Sequence, residues 1–192
     1  MHFLYALPAA FFAPIIHEML KALISKAQGD RTPGNSGFIT FNPLKFFEPI
    51  GFILMLIFNI GWAQPVPTSS LHYKDRKKGM IITYTAPAVI CILIGLIFTF
   101  SLGFLPFFNV LWFVINFLAR GFVSVGVINL LIPVNPFALH RLLPMFLSPQ
   151  KITAMNQYER PMQIIMIVLI AFGFLPMIVN PIVNMIMNLA AL

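Results

Sequence analysis

The chain has 192 residues, of which 59% are apolar and 9% charged, with a formal net charge of +7 and a mean hydropathy of +0.91. So little polar surface cannot coat a soluble globule of this size, and the composition is that of an integral membrane protein. A single Cys excludes a disulfide framework, and no GxGxxG or GxxxxGK[ST] run is present to hold a nucleotide.

The first apolar run predicts a helix over 3–27. It carries no basic n-region and no small-x-small cleavage site, so it is expected to be retained. His17, Glu18 and Lys21 lie toward its C-terminal end, where a plain anchor would be apolar. From Gln28 to Pro43 the chain turns to Gly, Pro, Asn and Ser, and the alternating Gly37-Phe38-Ile39-Thr40-Phe41 predicts a small β element. Pro49 to Gly61 is strongly apolar but has only 13 residues, about 20 Å of helix against a hydrocarbon core of about 30 Å. Lys26, Arg31 and Lys45 precede it and Lys74, Arg76, Lys77 and Lys78 follow it, so both ends belong on the cytoplasmic side and a re-entrant segment over 49–61 is predicted.

Two long runs follow, over 80–103 and 105–132, joined by an uncharged turn expected on the opposite face. The loop from Pro133 to Arg160 returns to the basic side with Arg141, Lys151 and Arg160. The last apolar stretch is interrupted at Pro176 and at Asn180-Pro181, which predicts a crossing over 162–179 and a short helix over 181–192. The count is four crossings in one membrane domain spanning 1–192. The Lys74–Lys78 cluster beside a span reads as contact with anionic lipid headgroups, at about 1 kcal/mol per charge, and not as a nucleic-acid site. Arg120, inside the second long run, is an intramembrane charge that calls for a functional account or a route to an interface. Asn109, Asn116 and Asn129 read as interhelical hydrogen-bonding groups.

The order of short motifs carries a resemblance. His17-Glu18-Met19-Leu20-Lys21 is followed by Gly29-Asp30, Phe41-Asn42-Pro43-Leu44, Glu48-Pro49-Ile50-Gly51 and Gly61-Trp62-Ala63-Gln64-Pro65-Val66. Ala86-Pro87, Asn129-Leu130-Leu131 ahead of Pro133 and Pro136, and Tyr158-Glu159 continue the series. In this order the chain resembles the site-2 protease family, and more narrowly its compact bacterial and archaeal members without a PDZ domain. The resemblance implies an all-α polytopic bundle in a prokaryotic cell membrane. It also implies an intramembrane zinc protease, with two His of HExxH and a later Asp as ligands and the Glu as general base.

Against that pattern the chemistry-bearing positions have changed. His17 and Glu18 match, but Lys21 stands at the second His, and an ammonium has three donors and no lone pair. Aligning Pro133, Pro136 and Arg141 on the family's PxPPLDGxR run puts Ala138 at the Asp and Leu139 at the Gly. The AGPxxN motif reads Thr85 to Ile90, with Ala86 at its Gly and Ile90 at its Asn. The sequence therefore predicts a degenerate member: a pseudoprotease with no cofactor, acting as a membrane-embedded binding or scaffold subunit. Its expected partners are lipids and a transmembrane protein or larger membrane complex, with Asn42, Pro43, Trp62, Gln64, Pro65, Arg120 and Asn129 along a groove. Lys21 is expected to neutralise Glu18. The competing expectation is a working zinc protease with unorthodox ligands, His17 and His140.

Overall fold

In the computed structural model, which describes residues 2–107 and 109–190, the chain is helical, and no strand forms among the described residues. Helix α1 (His2–Ala27) runs on through Pro8 and Pro14. A one-turn α2 (Thr32–Asn35) and the 3-10 turn Pro43–Phe46 lead to α3 (Pro49–Phe58), started by Glu48, whose carboxylate accepts the Ile50 and Gly51 N–H groups. Asn59, in the left-handed conformation at φ 59°, ends α3, a position Asn tolerates better than other non-glycine residues. An extended segment over 60–69 follows. Helix α4 (Arg76–Ser101) is capped by Asp75 and α5 (Val110–Leu131) by Asn109, each side chain accepting a first-turn N–H. The chain then forms α6 (Ala138–Leu142), α7 (Pro149–Gln157), α8 (Glu159–Ala171) and α9 (Phe174–Ala190).

Among the described residues three helices, α1, α4 and α5, are long and apolar enough to cross a membrane, and the pair α8 and α9, bent by 71°, makes a fourth if it is one broken span. This is an all-α polytopic membrane protein. Helix α5 lies at its centre. Ala119, Val123, Val127 and Ile128 of α5 meet Leu54 of α3, Met166 and Ile170 of α8, and Val179, Val183 and Met187 of α9 in one core. Phe122 and Val125 of α5 meet Ala10 and Ala13 of α1, Met55 of α3 and Cys91 of α4 in a second. With hydrocarbon on the outside, van der Waals packing of these side chains between helices replaces a hydrophobic driving force.

Two expectations from the sequence are corrected. The stretch 37–41 is no β element: it is a bend in which Phe38 packs edge-on to Phe46 at 5.4 Å. No second segment among the described residues pairs with it, and burial does not alternate along it: Phe38, Ile39 and Thr40 are all half-buried while Phe41 is 92% exposed. The last two helices divide at Gly173, not at Pro176 or Pro181. Gly173 has φ +80°, which glycine adopts without the steric cost of a Cβ. Pro176 falls in the first turn of α9, where the missing N–H needs no partner, and Pro181 is carried inside the helix. The expected end of that helix at 192 lies outside the described residues.

Candidate functional site

Residues at i and i+4 share a helix face, and i, i+3 places Glu18 within reach of Lys21. His17, Glu18 and Lys21 are 2%, 5% and 4% exposed. The Lys21 Nζ lies 2.5 Å from Glu18 Oε2, and the Val66 N–H donates to the same oxygen at 2.7 Å. His17 Nδ1 is 3.3 Å from Glu18 Oε1. The ammonium also lies 6.0 Å from the centre of the Tyr84 ring of α4, and the Tyr84 and Thr68 hydroxyls are hydrogen-bonded at 2.6 Å. One carboxylate therefore ties α1 to the extended segment 60–69, and the same corner reaches α4. His17 Nε2 is buried without a partner beside a cavity of about 10 Å³ lined by Pro14, Glu18, Trp62, Asn129 and Phe137 among others, room for about one water.

The other positions taken from the motifs scatter. Ala138, 3% exposed, starts α6, and its N–H donates to Asn129 Oδ1 at 3.1 Å while Asn129 Nδ2 donates to the Val125 carbonyl at 2.9 Å. Asn129 is thus spent inside the fold. His140 is buried with Nδ1 3.4 Å from the Pro133 carbonyl oxygen, and it lines a different cavity, with Lys151, Tyr158 and Glu159. Ala86 and Ile90 are half-buried on α4, and neither lines the cavity at His17.

Of the expected groove residues, Trp62 and Asn129 meet at the small cavity beside His17, and the others lie elsewhere. Asn42 is an exposed cap whose Oδ1 accepts the Leu44 N–H at 3.1 Å, and the neighbouring Pro43 begins that turn. Trp62 packs edge-on against Phe137 at 6.0 Å. Gln64 is exposed, its N–H donating to the Phe46 carbonyl at 2.8 Å, with Pro65 half-buried beside it. Arg120 lines a separate cavity of about 250 Å³ between α1, α3, α5 and α9. Chain order did not bring them to one face: Asn42 and Pro43 sit at the turn before α3, Trp62, Gln64 and Pro65 on the segment 60–69, and Arg120 and Asn129 nine residues apart on α5, which places them on opposite sides of that helix.

The turn motifs have structural work of their own. Asp30, 1% exposed, accepts from the Ser25 hydroxyl at 2.9 Å, the Thr32 N–H at 2.8 Å and the Ser69 N–H at 2.7 Å. Burial pushes its carboxyl up, but the hydrogen bonds from Thr32, Ser69 and Ser25 outweigh that and hold it below the usual Asp range. His72 Nδ1 reaches within 3.9 Å of the same carboxylate. A Cβ on Gly61 would come 2.6 Å from Met55 Cβ, and one on Gly51 would run into the Trp62 backbone. The two glycines let the extended segment lie directly on α3.

Zinc, which the resemblance implies, does not fit the residues present. A catalytic site takes three protein ligands and keeps one open position. Here Glu18 is taken by Lys21, Val66 and His17, a methyl group stands at Ala138, and His140 lines another cavity. Among the described residues no group of three His, Cys, Asp or Glu could hold a metal ion. Sequence comparison finds a related protein from Bacillus subtilis (strain 168), named "Putative zinc metalloprotease YwhC", 29% identical across 75% of this chain and 69% of that protein. This chain is a homologue of a metalloprotease-like protein. No family model matches it, and no solved structure does. The homology and the donor set therefore point in different directions, and the donor set is what this chain's own chemistry must use.

Sequence reasoning passed over two side chains at the Arg120 cavity, Asn59 and Asn180, whose Nδ2 and Oδ1 respectively are buried without partners. Asn184 Oδ1 is in the same condition. The signal was available: Asn180, Asn184 and Asn188 recur every fourth residue in an otherwise apolar helix, one polar stripe by helical periodicity.

Proposed function

We propose that this protein is a catalytically inactive homologue of the site-2 proteases, a pseudoprotease of a prokaryotic cell membrane that serves as a binding or scaffold subunit for a transmembrane partner. The observation that carries the reading is the buried Lys21–Glu18 pair at 2.5 Å. A general base needs a free lone pair directed at water, and a metal-bound water needs a ligand set; Lys21 removes a ligand and occupies the carboxylate at once. The pair holds α1 where a metal would otherwise hold it, so the fold is retained while the reaction is not supported. A relative named for zinc chemistry and the unpartnered Nε2 of His17 favour the second reading, an active zinc metalloprotease with non-standard ligands. Metal analysis of the purified protein separates the two. The pseudoprotease reading expects no stoichiometric zinc and no cleavage of a transmembrane substrate. One tightly held zinc per chain, or cleavage abolished by Glu18→Gln, overturns it.

A further inference from the structure

Arg120 is the eleventh of the 22 residues of α5, about 15 Å of helix from either end at 1.5 Å per residue. All five acidic residues of the chain are accounted for elsewhere. Glu18 is bound to Lys21, Asp30 to Ser25, Thr32 and Ser69, Glu48 and Asp75 cap helices, and Glu159 lines the cavity with His140. Among the described residues no carboxylate comes within 4.0 Å of the guanidinium, and no hydrogen bond to it is formed.

The surroundings are built from three polar groups with spare capacity. The cavity of about 250 Å³ has Arg120 on α5, Asn59 at the end of α3 and Asn180 on α9. Asn59 Nδ2 is an unused buried donor. Asn180 has an unused buried Oδ1, and a half-turn of its amide exchanges oxygen for nitrogen. Ala6, Ala9 and Ala10 of α1 form a small-residue wall, and Ile57, 57% exposed, stands at the lipid side. A charge at this depth is stable when an opposite charge meets it, and a planar guanidinium matches a carboxylate with two parallel hydrogen bonds.

We propose that this cavity is a carboxylate receptor within the membrane, in which Arg120, flanked by the amides of Asn59 and Asn180, pairs with a single Asp or Glu side chain carried by a partner's transmembrane helix. Depth selects this occupant over a lipid phosphate. Headgroups lie at the ends of α5, and a phosphate would have to be drawn about 15 Å into hydrocarbon, whereas a spanning helix delivers a side chain there without moving its ends. The inference rests on the partner-binding part of the function proposed above and not on the loss of catalysis.

The test uses the full chain reconstituted in phosphatidylcholine vesicles and a fluorescent probe helix of about 20 residues, Leu and Ala with one central Glu, beside a twin carrying Gln. Association is read by energy transfer from the labelled chain. The Glu helix is expected to bind at least about tenfold more tightly than its twin. Arg120→Gln removes that preference, Arg120→Lys keeps part of it, and Arg160→Gln leaves it unchanged. Equal association of the two probe helices with the native chain, including none by either, overturns the proposal without requiring any variant to fold. A preference that survives Arg120→Gln also overturns it. Zinc content measured on the same preparation reports separately on the catalytic reading, so the two can fail independently.

Discussion

Replacing Lys21 by Met keeps most of the side-chain volume and removes the charge. It leaves the Glu18 carboxylate, 5% exposed, with only the Val66 N–H at 2.7 Å and His17 Nδ1 at 3.3 Å. Breaking a buried pair by removing one partner costs about 3–5 kcal/mol. The two remaining neighbours offset part of that, so a loss of about 3 kcal/mol is expected. Adding Glu18→Gln removes the stranded charge while keeping an acceptor for Val66. The double variant should therefore lie within about 1–2 kcal/mol of the native protein, a coupling large enough for a double-mutant cycle to resolve. Reversible unfolding in mixed detergent micelles, followed by the fluorescence of Trp62 and Trp112, measures it. A double variant no more stable than Lys21→Met alone would refute the claim that Lys21 holds Glu18.

The remaining predictions concern the loops that seat the helices. Asp30→Asn should cost about 2 kcal/mol at neutral pH, because charge-assisted bonds from Ser25, Thr32 and Ser69 are weakened. Since the native carboxyl titrates below its ordinary value of 3.8, its contribution is complete above that pH and is lost as the pH falls through the lowered folded value. Unfolding measured as a function of pH should show the stabilities of the native protein and the Asp30→Asn variant converging below pH 3.8, and parallel curves would contradict the assignment. Gly61→Ala should cost about 3 kcal/mol or prevent folding, since the new Cβ meets Met55 Cβ at 2.6 Å. Gly103→Ala, where a Cβ meets nothing within 4 Å, is the control and should stay within about 0.5 kcal/mol by the same unfolding assay.

Much was legible in the chain because lipid imposes a simple code. Uninterrupted apolar length marks α1, α4 and α5, since a backbone without water must hydrogen-bond to itself. The Lys21–Glu18 contact was legible too, because helical spacing alone brings i and i+3 together. The break at Gly173 was not, since Pro176 and Pro181 are stronger punctuation and only the observed φ of +80° shows which residue bends. Nor did the chain reveal that Phe38 turns inward toward Phe46 instead of pairing in a strand.

Composition and periodicity were enough to establish a membrane-embedded helical protein, and the resemblance in motif order marked the two positions where it carries an ammonium and a methyl group in place of the implied metal ligands. Those properties need no knowledge of neighbours. Folding in three dimensions was required to show that Val66 completes the grip on Glu18, that His140 and His17 serve different cavities, and that Asn59 and Asn180 gather around Arg120. Such juxtapositions join residues dozens of positions apart, and packing among helices, not local spacing, sets which of their faces meet.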